Sequence, residues 1–539
     1  MPAVVTDQFR IANAGNFVDS VLNTDNSYYV FLGLPNPATA GFGRTTSWNS
    51  ATPSPIDNLE YLTHYRDTSL FGKKITSANI RRVVKKNQWV ANTKYDMYRH
   101  DYRVAAGSDS GNPAPNSKSG RLYNTNYYVV TSEFKVYICL DNGGIGPVKD
   151  ANGVDQSAAK GADSLDEPTF TDLEPAAAGT QDPYVWKYLF TISPSDVIKF
   201  DSTEYIVLPS DWSTTTDPQI QPVREAGNSD INKNQIKTVY VENQGSGYGS
   251  TREVACNILG DGSGAKALVK VENGKISDVI VTQGGSGYTF AMVDLSNLGS
   301  VNAENRANLI PIIPPSKGHG FDIYTELGAD KVLVYSRFDD STKDFPSDTH
   351  FGQVGILKNP QAFGSSGILT TSQFSSSSAL KLQTSISIAD YDNLIGAGIT
   401  QLRSDGGVAR GTVVSYDQDT FVLKYIQDRS LNLNQTTFDT TSYQGENLRA
   451  EVLSFESNSN AIKSGTIGAL IIDNQIDTGF TGFSTDVGSK NINLGIQFTN
   501  GLADPEINKK TGDVIYIDNR EEVTRNTRQK EDVKIILEF

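Results

Sequence analysis

The stretch Asp182-Pro183-Tyr184-Val185-Trp186-Lys187-Tyr188-Leu189-Phe190-Thr191-Ile192-Ser193-Pro194-Ser195-Asp196 leaves the chain little freedom. From Val185 to Ile192 it is dense in aromatic and β-branched residues, which suit a pleated, half-buried surface better than a helix. Asp-Pro before it and Ser-Pro after it punctuate the chain. Ser193 is placed to cap a short helix, with Pro194 at its first position. Glu204 to Leu208 then reads as a second strand, stopped by Pro209. The expectation is strand, one helical turn, strand, in the core of an all-β domain. Nothing in the stretch has catalytic spacing.

The whole chain points the same way. Its 539 residues suffice for about three to four domain-sized units. It is rich in Gly, Ser, Thr and Asn, with 24 Tyr and 23 Phe against only three Met, a balance that favours strands and turns. The expected fold class is mainly β: several antiparallel sandwich or barrel-like domains with few short helices. A net charge of −15 makes a poor generic binder of DNA or of anionic membranes, so neither is an expected partner. The basic run Arg81-Arg82-Val83-Val84-Lys85-Lys86 is the main exception. It reads as a solvated strand edge or, alternatively, a patch for an acidic partner. Two cysteines, Cys139 and Cys256, are too few for a disulfide framework and read as buried free thiols. Met1 to Asn26 has no apolar core, so no secretory signal is expected. No run of about 18 apolar residues suggests a membrane span.

Along the chain, Tyr28 to Gly33 reads as a buried strand, followed by a Pro/Gly/Ser-rich loop from Pro35 to Pro55 around Trp48. Asp57 is the expected cap of a helix carrying Leu59, Leu62 and Tyr65 at helical spacing. A strand from Ile80 ends near Trp89, and Ala105 to Gly120 is a surface loop. Tyr127–Thr131 and Phe134–Leu140 look paired, and Asp141 to Gly179 reads as a long exposed loop. Val239 to Tyr248 recurs as Val279 to Tyr288, each copy a strand running into Gly-Ser-Gly-Tyr. Between the copies, Asn273-Gly274 marks a hairpin. A second hairpin is expected across Asp417 to Thr420, and a further strand from Gly468 to Asp473. The last strand alternates, with Val533, Ile535, Leu537 and Phe539 on one side. The expected organisation is a β framework over 1–230, a repeat module over 231–300, framework again over 301–360, a second β insertion over 361–493, and closing strands over 494–539.

Chemistry-bearing constellations fail one by one. No two of His64, His100, His319 and His350 share metal-ligand spacing. Gly318-His319-Gly320 reads as a turn. Gly260 to Gly264 superficially suggests a phosphate loop, but a strand follows it and no Gly-Lys-Ser/Thr occurs. Asp150 to Asp155 has a calcium-loop flavour that stops at Gly161, where an EF-hand needs glutamate. With 62 acidic residues, some carboxylate pair at the glycosidase separation of about 5–9.5 Å always exists, which decides nothing. No catalytic residue, metal site or cofactor is expected.

The segment Tyr184-Val185-Trp186 through Glu204-Tyr205-Ile206-Val207 resembles the signature of the T-even-type phage baseplate wedge subunit, the gene product eight family. Gly512 to Arg520 and the closing Asp532 to Phe539 are similar to its far end. The positions carrying the resemblance are Trp48, Trp89, Cys139, Tyr184, Trp186, Tyr188, Phe190, Glu204, Tyr205, Tyr516, Asn519, Arg520 and Phe539. It covers roughly the first 225 residues, about 315 to 360, and about 494 to 539, so that the repeat module and the second β domain look like insertions. The resemblance implies a structural, non-enzymatic subunit of a contractile-tail baseplate wedge. It would scaffold other baseplate wedge proteins during assembly and contraction, as a homodimer within each wedge. Its place would be the virion tail, with assembly in the host cytoplasm. The alternatives are a tail adhesin or fibre-associated glycan-binding protein, or a polysaccharide depolymerase. Long parallel-β repeats would favour those, and this chain has one short repeat pair.

Overall fold

A computed structural model describes residues 4–35, 48–49, 52–104, 114–145, 161–180, 182–228, 235–339, 349–386, 398–402, 408–427, 448–455, 462–470, 472–473, 475–478, 482–525 and 529–539. The core of the Pro35–Pro55 loop, most of the Ala105–Gly120 loop, the Asp150–Asp155 segment and much of the Asp141–Gly179 loop lie outside them. The chain is mainly β, in several antiparallel sheets with few helices. It divides into two compact units. One takes Met1–Val18, Arg81–Leu333 and Ile536–Phe539; the other takes Asp19–Ile80 and Val334–Ile535.

The first unit holds the aromatic stretch as strand Val185–Thr191, inside the sheet order Tyr128–Val130, Lys135–Asp141, Val185–Thr191, Ala176–Ala177. Five consecutive residues of Lys135–Asp141 and of Val185–Thr191 are buried. Side chains alternate faces along a strand, so both faces of this sheet are covered, not one as the composition suggested. Ser193 Oγ accepts from the Asp196 N–H (3.2 Å) and Pro194 opens the helix Pro194–Phe200. The chain then returns as Tyr205–Val207, paired with Val83–Lys85. The basic run is therefore not a sheet edge: strand Ile80–Lys85 lies between Tyr205–Val207 and Lys331–Phe338. Arg81 pairs with Asp196 at 2.9 Å, and the Arg82 guanidinium lies 4.1 Å from the centre of the Tyr324 ring. Both partners are distant in sequence, which is why the run looked solvated. The final strand, Glu531–Glu538, buries Ile535 and exposes Ile536, as the alternation requires. Beyond it, the Phe539 ring sits 5.5 Å from that of Phe17.

The repeat region of this unit is a sheet ordered Lys275–Ser286, Ser263–Glu272, Arg252–Gly260, Ala291–Val293, beside the pair Val239–Asn243 and Asn308–Pro311. Asn273 (φ 52°) and Gly274 (φ 76°) close the hairpin with two left-handed residues, as an Asn-Gly turn should. The two Gly-Ser-Gly-Tyr copies adopt one backbone conformation: φ is 62° at both Gly245 and Gly285, and 87° and 79° at Gly247 and Gly287. Each tyrosine is buried, and its hydroxyl accepts a backbone N–H from an alanine: Ala307 for Tyr248 (2.8 Å) and Ala265 for Tyr288 (3.2 Å). A single segment moors both ends of this region. The Arg99 guanidinium stacks 4.2 Å from the Tyr240 ring and pairs with Asp101 (2.7 Å) and Glu242 (3.9 Å), while His100 Nδ1 accepts from the Ile313 N–H (3.2 Å).

The second unit has a five-stranded sheet ordered Gln373–Ser375, Ser69–Lys74, Tyr28–Gly33, His350–Lys358, Asp513–Thr524. All six residues of Tyr28–Gly33 are buried. A seven-stranded sheet includes the expected hairpin, Val408–Asp417 with Val422–Ile426. The strand expected over Gly468–Asp473 is instead Ile462–Leu470. Helix Leu59–Thr68 is capped by Asn58, whose Oδ1 accepts from the Tyr61 N–H (2.9 Å), not by Asp57. Both residue types cap helices, and the one adjoining the first turn wins.

Candidate functional site

The aromatic sheet is a rigid base. Trp186 stacks on Tyr184 at 5.3 Å and 11°, with Tyr95 edge-on to Trp186 at 5.9 Å. The Tyr184 hydroxyl donates to the Ala162 carbonyl (2.9 Å) and accepts from the Tyr95 N–H (2.9 Å). Asp182 accepts from the Tyr184 N–H and from Ser164 Oγ, and Ser164 Oγ in turn accepts from the Trp89 indole (3.0 Å). This ties described parts of the Asp141–Gly179 segment to the sheet. Tyr188 bonds Thr191 Oγ1, Phe190 meets Trp212 edge-on at 5.9 Å, and Cys139 is wholly buried and unpaired. Burial pushes the Tyr184 hydroxyl and the Cys139 thiol well up, keeping both neutral. The Trp186 indole N–H finds no acceptor. These groups pack; none is poised to react.

Glu204 and Tyr205 play a different part. They line a cleft of about 760 Å³ in the same unit, walled by helix residues Asp7, Arg10 and Ile11, by Val84 to Lys86, by Arg121, Tyr123, Asn124 and Tyr128, and by Leu327, Gly328, Asp330 and Lys331 with Glu538. Lys86 reaches Asp201 (3.3 Å), and Lys331 reaches Asp330 and Glu538 (3.0 and 3.1 Å). Burial alone would lower the Lys331 ammonium, but those two bonds outweigh it and raise it. Burial, with the Asp7 charge adding to it, pushes Tyr123 up to about 12. The cleft thus offers a mixed but slightly cationic wall on an acidic protein, shaped for polar contacts.

The remaining signature positions fall elsewhere. Trp48, Tyr516, Asn519 and Arg520 belong to the second unit, where the Trp48 indole donates to the Arg520 carbonyl (2.8 Å). Asn519 bridges Gln353 and the Pro53 carbonyl there. Tyr516 stands opposite Ile356 in the sheet, and Phe539 lies at the end of the last strand.

Sequence reasoning missed several groups. Gly318 and Gly320 have left-handed φ, as a turn at that place requires. Within that turn His319 Nδ1 bonds Glu326 Oε1 (2.6 Å) in a buried pair, with Tyr98 edge-on at 4.8 Å. The cleft walls, and the Arg99 stack, are assembled from segments too far apart for any local pattern. Among the described residues no group of His, Cys, Asp or Glu is arranged to hold a metal ion, and no helix is long and apolar enough to cross a membrane.

The model of the family described as Bacteriophage T4, Gp8 matches residues 3–244. No curated protein matches the chain. The matched stretch contains the whole strand–helix–strand signature and the residues it lends to the cleft. The family is structural and its place is the phage tail baseplate. Residues 3–244 of this chain are therefore similar to the gene product eight family of phage baseplate wedge subunits.

Proposed function

We propose that the chain scaffolds contacts between wedge proteins during baseplate assembly and tail contraction, as a homodimer within each wedge, and that it does so without catalysis. The single observation that carries this reading is the family match over residues 3–244. The geometry supports it in two ways. The aromatic base gives a body that holds its shape, and the polar cleft beside Glu204 and Tyr205 gives a surface suited to contacts that form and release. On this reading 1–230, 301–360 and 494–539 make the framework, with 231–300 and 361–493 inserted, and assembly precedes release from the host cytoplasm.

Reconstitution of wedges from purified tail proteins tests the proposal. The chain is expected to enter in fixed stoichiometry. Removal of Val533 to Phe539 is expected to prevent entry, because the strand that buries Ile535 is lost. Wedges that complete without the chain would overturn the proposal.

A further inference from the structure

Lys187 is the one charged side chain inside the signature strand Val185–Thr191, and it is only 7% exposed. Side chains alternate between faces along a strand, so Lys187 lies on the face away from Trp186 and Tyr188. A buried charge ordinarily sits against an opposite one. This ammonium donates to the Leu173 carbonyl (2.7 Å), and no carboxylate oxygen among the described residues lies within 4.0 Å of it. The carboxylates nearest in effect are committed elsewhere. Glu326 takes the His319 ring and the Gly320 N–H, and Glu174 takes Lys237 (3.1 Å). Burial lowers the hold of the Lys187 amine on its proton; Glu326 and Glu174 oppose that shift, and Lys237 reinforces it.

Lys187 lines a cavity of about 30 Å³ together with Lys237, His319 and Gln235, and Leu140 and Pro314 supply apolar wall. A water-sized group needs about 10–15 Å³, so the space suits one or two such groups. His319 commits Nδ1 to Glu326 and makes no hydrogen bond at Nε2 among the described residues. The Gln235 side-chain oxygen is buried without a partner. Turned end for end, that amide offers N–H donors at the same place. We propose that this cavity is a site for one small monovalent anion of the halide class, held by the Lys187 ammonium. Lys237 adds a second positive charge and the Gln235 amide a neutral donor. A halide matches the space, whereas a phosphate, with four oxygens around its phosphorus, does not. Three segments distant in sequence then share one ion: the signature strand, the Gly318-His319-Gly320 turn, and the entry to the repeat region at Gln235 and Lys237. The site stands whether or not the chain serves in a wedge.

Chloride titration of the full chain provides the test, with ionic strength held constant by sodium gluconate, whose polyol chain is too long to enter. Wild-type melting is expected to rise with chloride and level off, by about 2–5 °C once chloride is roughly tenfold above its dissociation constant. The chloride nuclear magnetic resonance line should broaden in the same samples, and bromide should reverse the broadening by competition. Lys187→Met keeps the side-chain length and removes the charge, and is expected to lose both responses. Lys237→Gln, at the partly exposed rim, leaves the strand untouched and is expected to weaken chloride binding several-fold. Crystals soaked in bromide should show an anomalous peak beside Lys187 Nζ. A melt and a line width that ignore chloride overturn the site. Chloride responses that Lys187→Met leaves intact also overturn it, since the ion then sits elsewhere, and a bromide peak remote from Lys187 and Gln235 has the same meaning.

Discussion

The aromatic sheet around Val185–Thr191 and the repeat sheet around Ser263–Glu272 are both four-stranded and antiparallel, yet opposite means hold them. The first has no glycine in its three longer or central strands and fills both faces with rings and branched chains. The second alternates small apolar residues such as Ala265, Ala267, Val269 and Val271 inward. Its shape comes from left-handed turns at Gly245, Asn273, Gly274 and Gly285. Side-chain volume decides the first sheet and backbone conformation the second.

Trp186→Ala attacks volume where it is greatest. The side chain is wholly buried against Tyr184 and Tyr95, so the expected loss is about 3–5 kcal/mol, read by denaturant unfolding. A loss under 1 kcal/mol would mean that the stack contributes little. Gly285→Ala attacks conformation. Its φ of 62° disfavours a side chain, and a Cβ there would stand 2.5 Å from the Ser263 carbonyl and 2.6 Å from the Ala265 nitrogen. A loss of about 2–3 kcal/mol is expected. Hydrogen exchange should place it in 235–313, with Val185–Thr191 still protected; uniform loss of protection would erase the contrast between the two sheets.

Tyr288→Phe is milder. It keeps the buried ring but removes the acceptor of the Ala265 N–H and the donor to the Ile258 carbonyl, at about 1–2 kcal/mol. Tyr248→Phe should cost about the same if the two copies are equivalent, and unequal melts would show that they are not.

The smallest effect lies at Asp141, at the end of the aromatic sheet. Burial raises its carboxyl to about 6 from an ordinary 3.8, opposed by the bond from the Gly143 N–H and aided by the charge of Asp278 in the repeat sheet. A raised carboxyl favours the fold when protonated. Its contribution is therefore full below about pH 4 and lost as pH rises through about 6. Asp141→Asn is expected to stabilise at pH 7, by about 1 kcal/mol after allowance for partial exposure, and to change little at pH 4. Melts that shift equally at both pH values would remove the carboxyl from the account.

The same contrast explains what could be read from residues alone. Runs such as Tyr28–Gly33 and turns such as Asn273-Gly274 carry their instructions locally, and so does the Ser193-Pro194 cap. The repeat was visible as a string, but the bond that each tyrosine hydroxyl accepts from a distant alanine N–H was not. The basic run misled because Asp196 and Tyr324, which neutralise and cover it, are more than a hundred residues away. Asn58 displaced Asp57 as cap by a single position, the ordinary resolution of pattern reading. The cleft at Glu204 and Tyr205 draws on segments from Asp7 to Glu538 and left no trace in any one of them.

The mooring at Arg99 and His100 has a mechanical meaning. The strand entering the repeat region is held by the Arg99 guanidinium, which stacks on Tyr240 and pairs with Glu242 while Asp101 of its own segment orients it, whereas the departing chain is held to that segment at Ile313 by a hydrogen bond to His100. Under a pull on the far end of the region, the weaker tether yields first. The region then swings about Tyr240 before it detaches, so a pull on it would tilt this part of the molecule and leave its root in place.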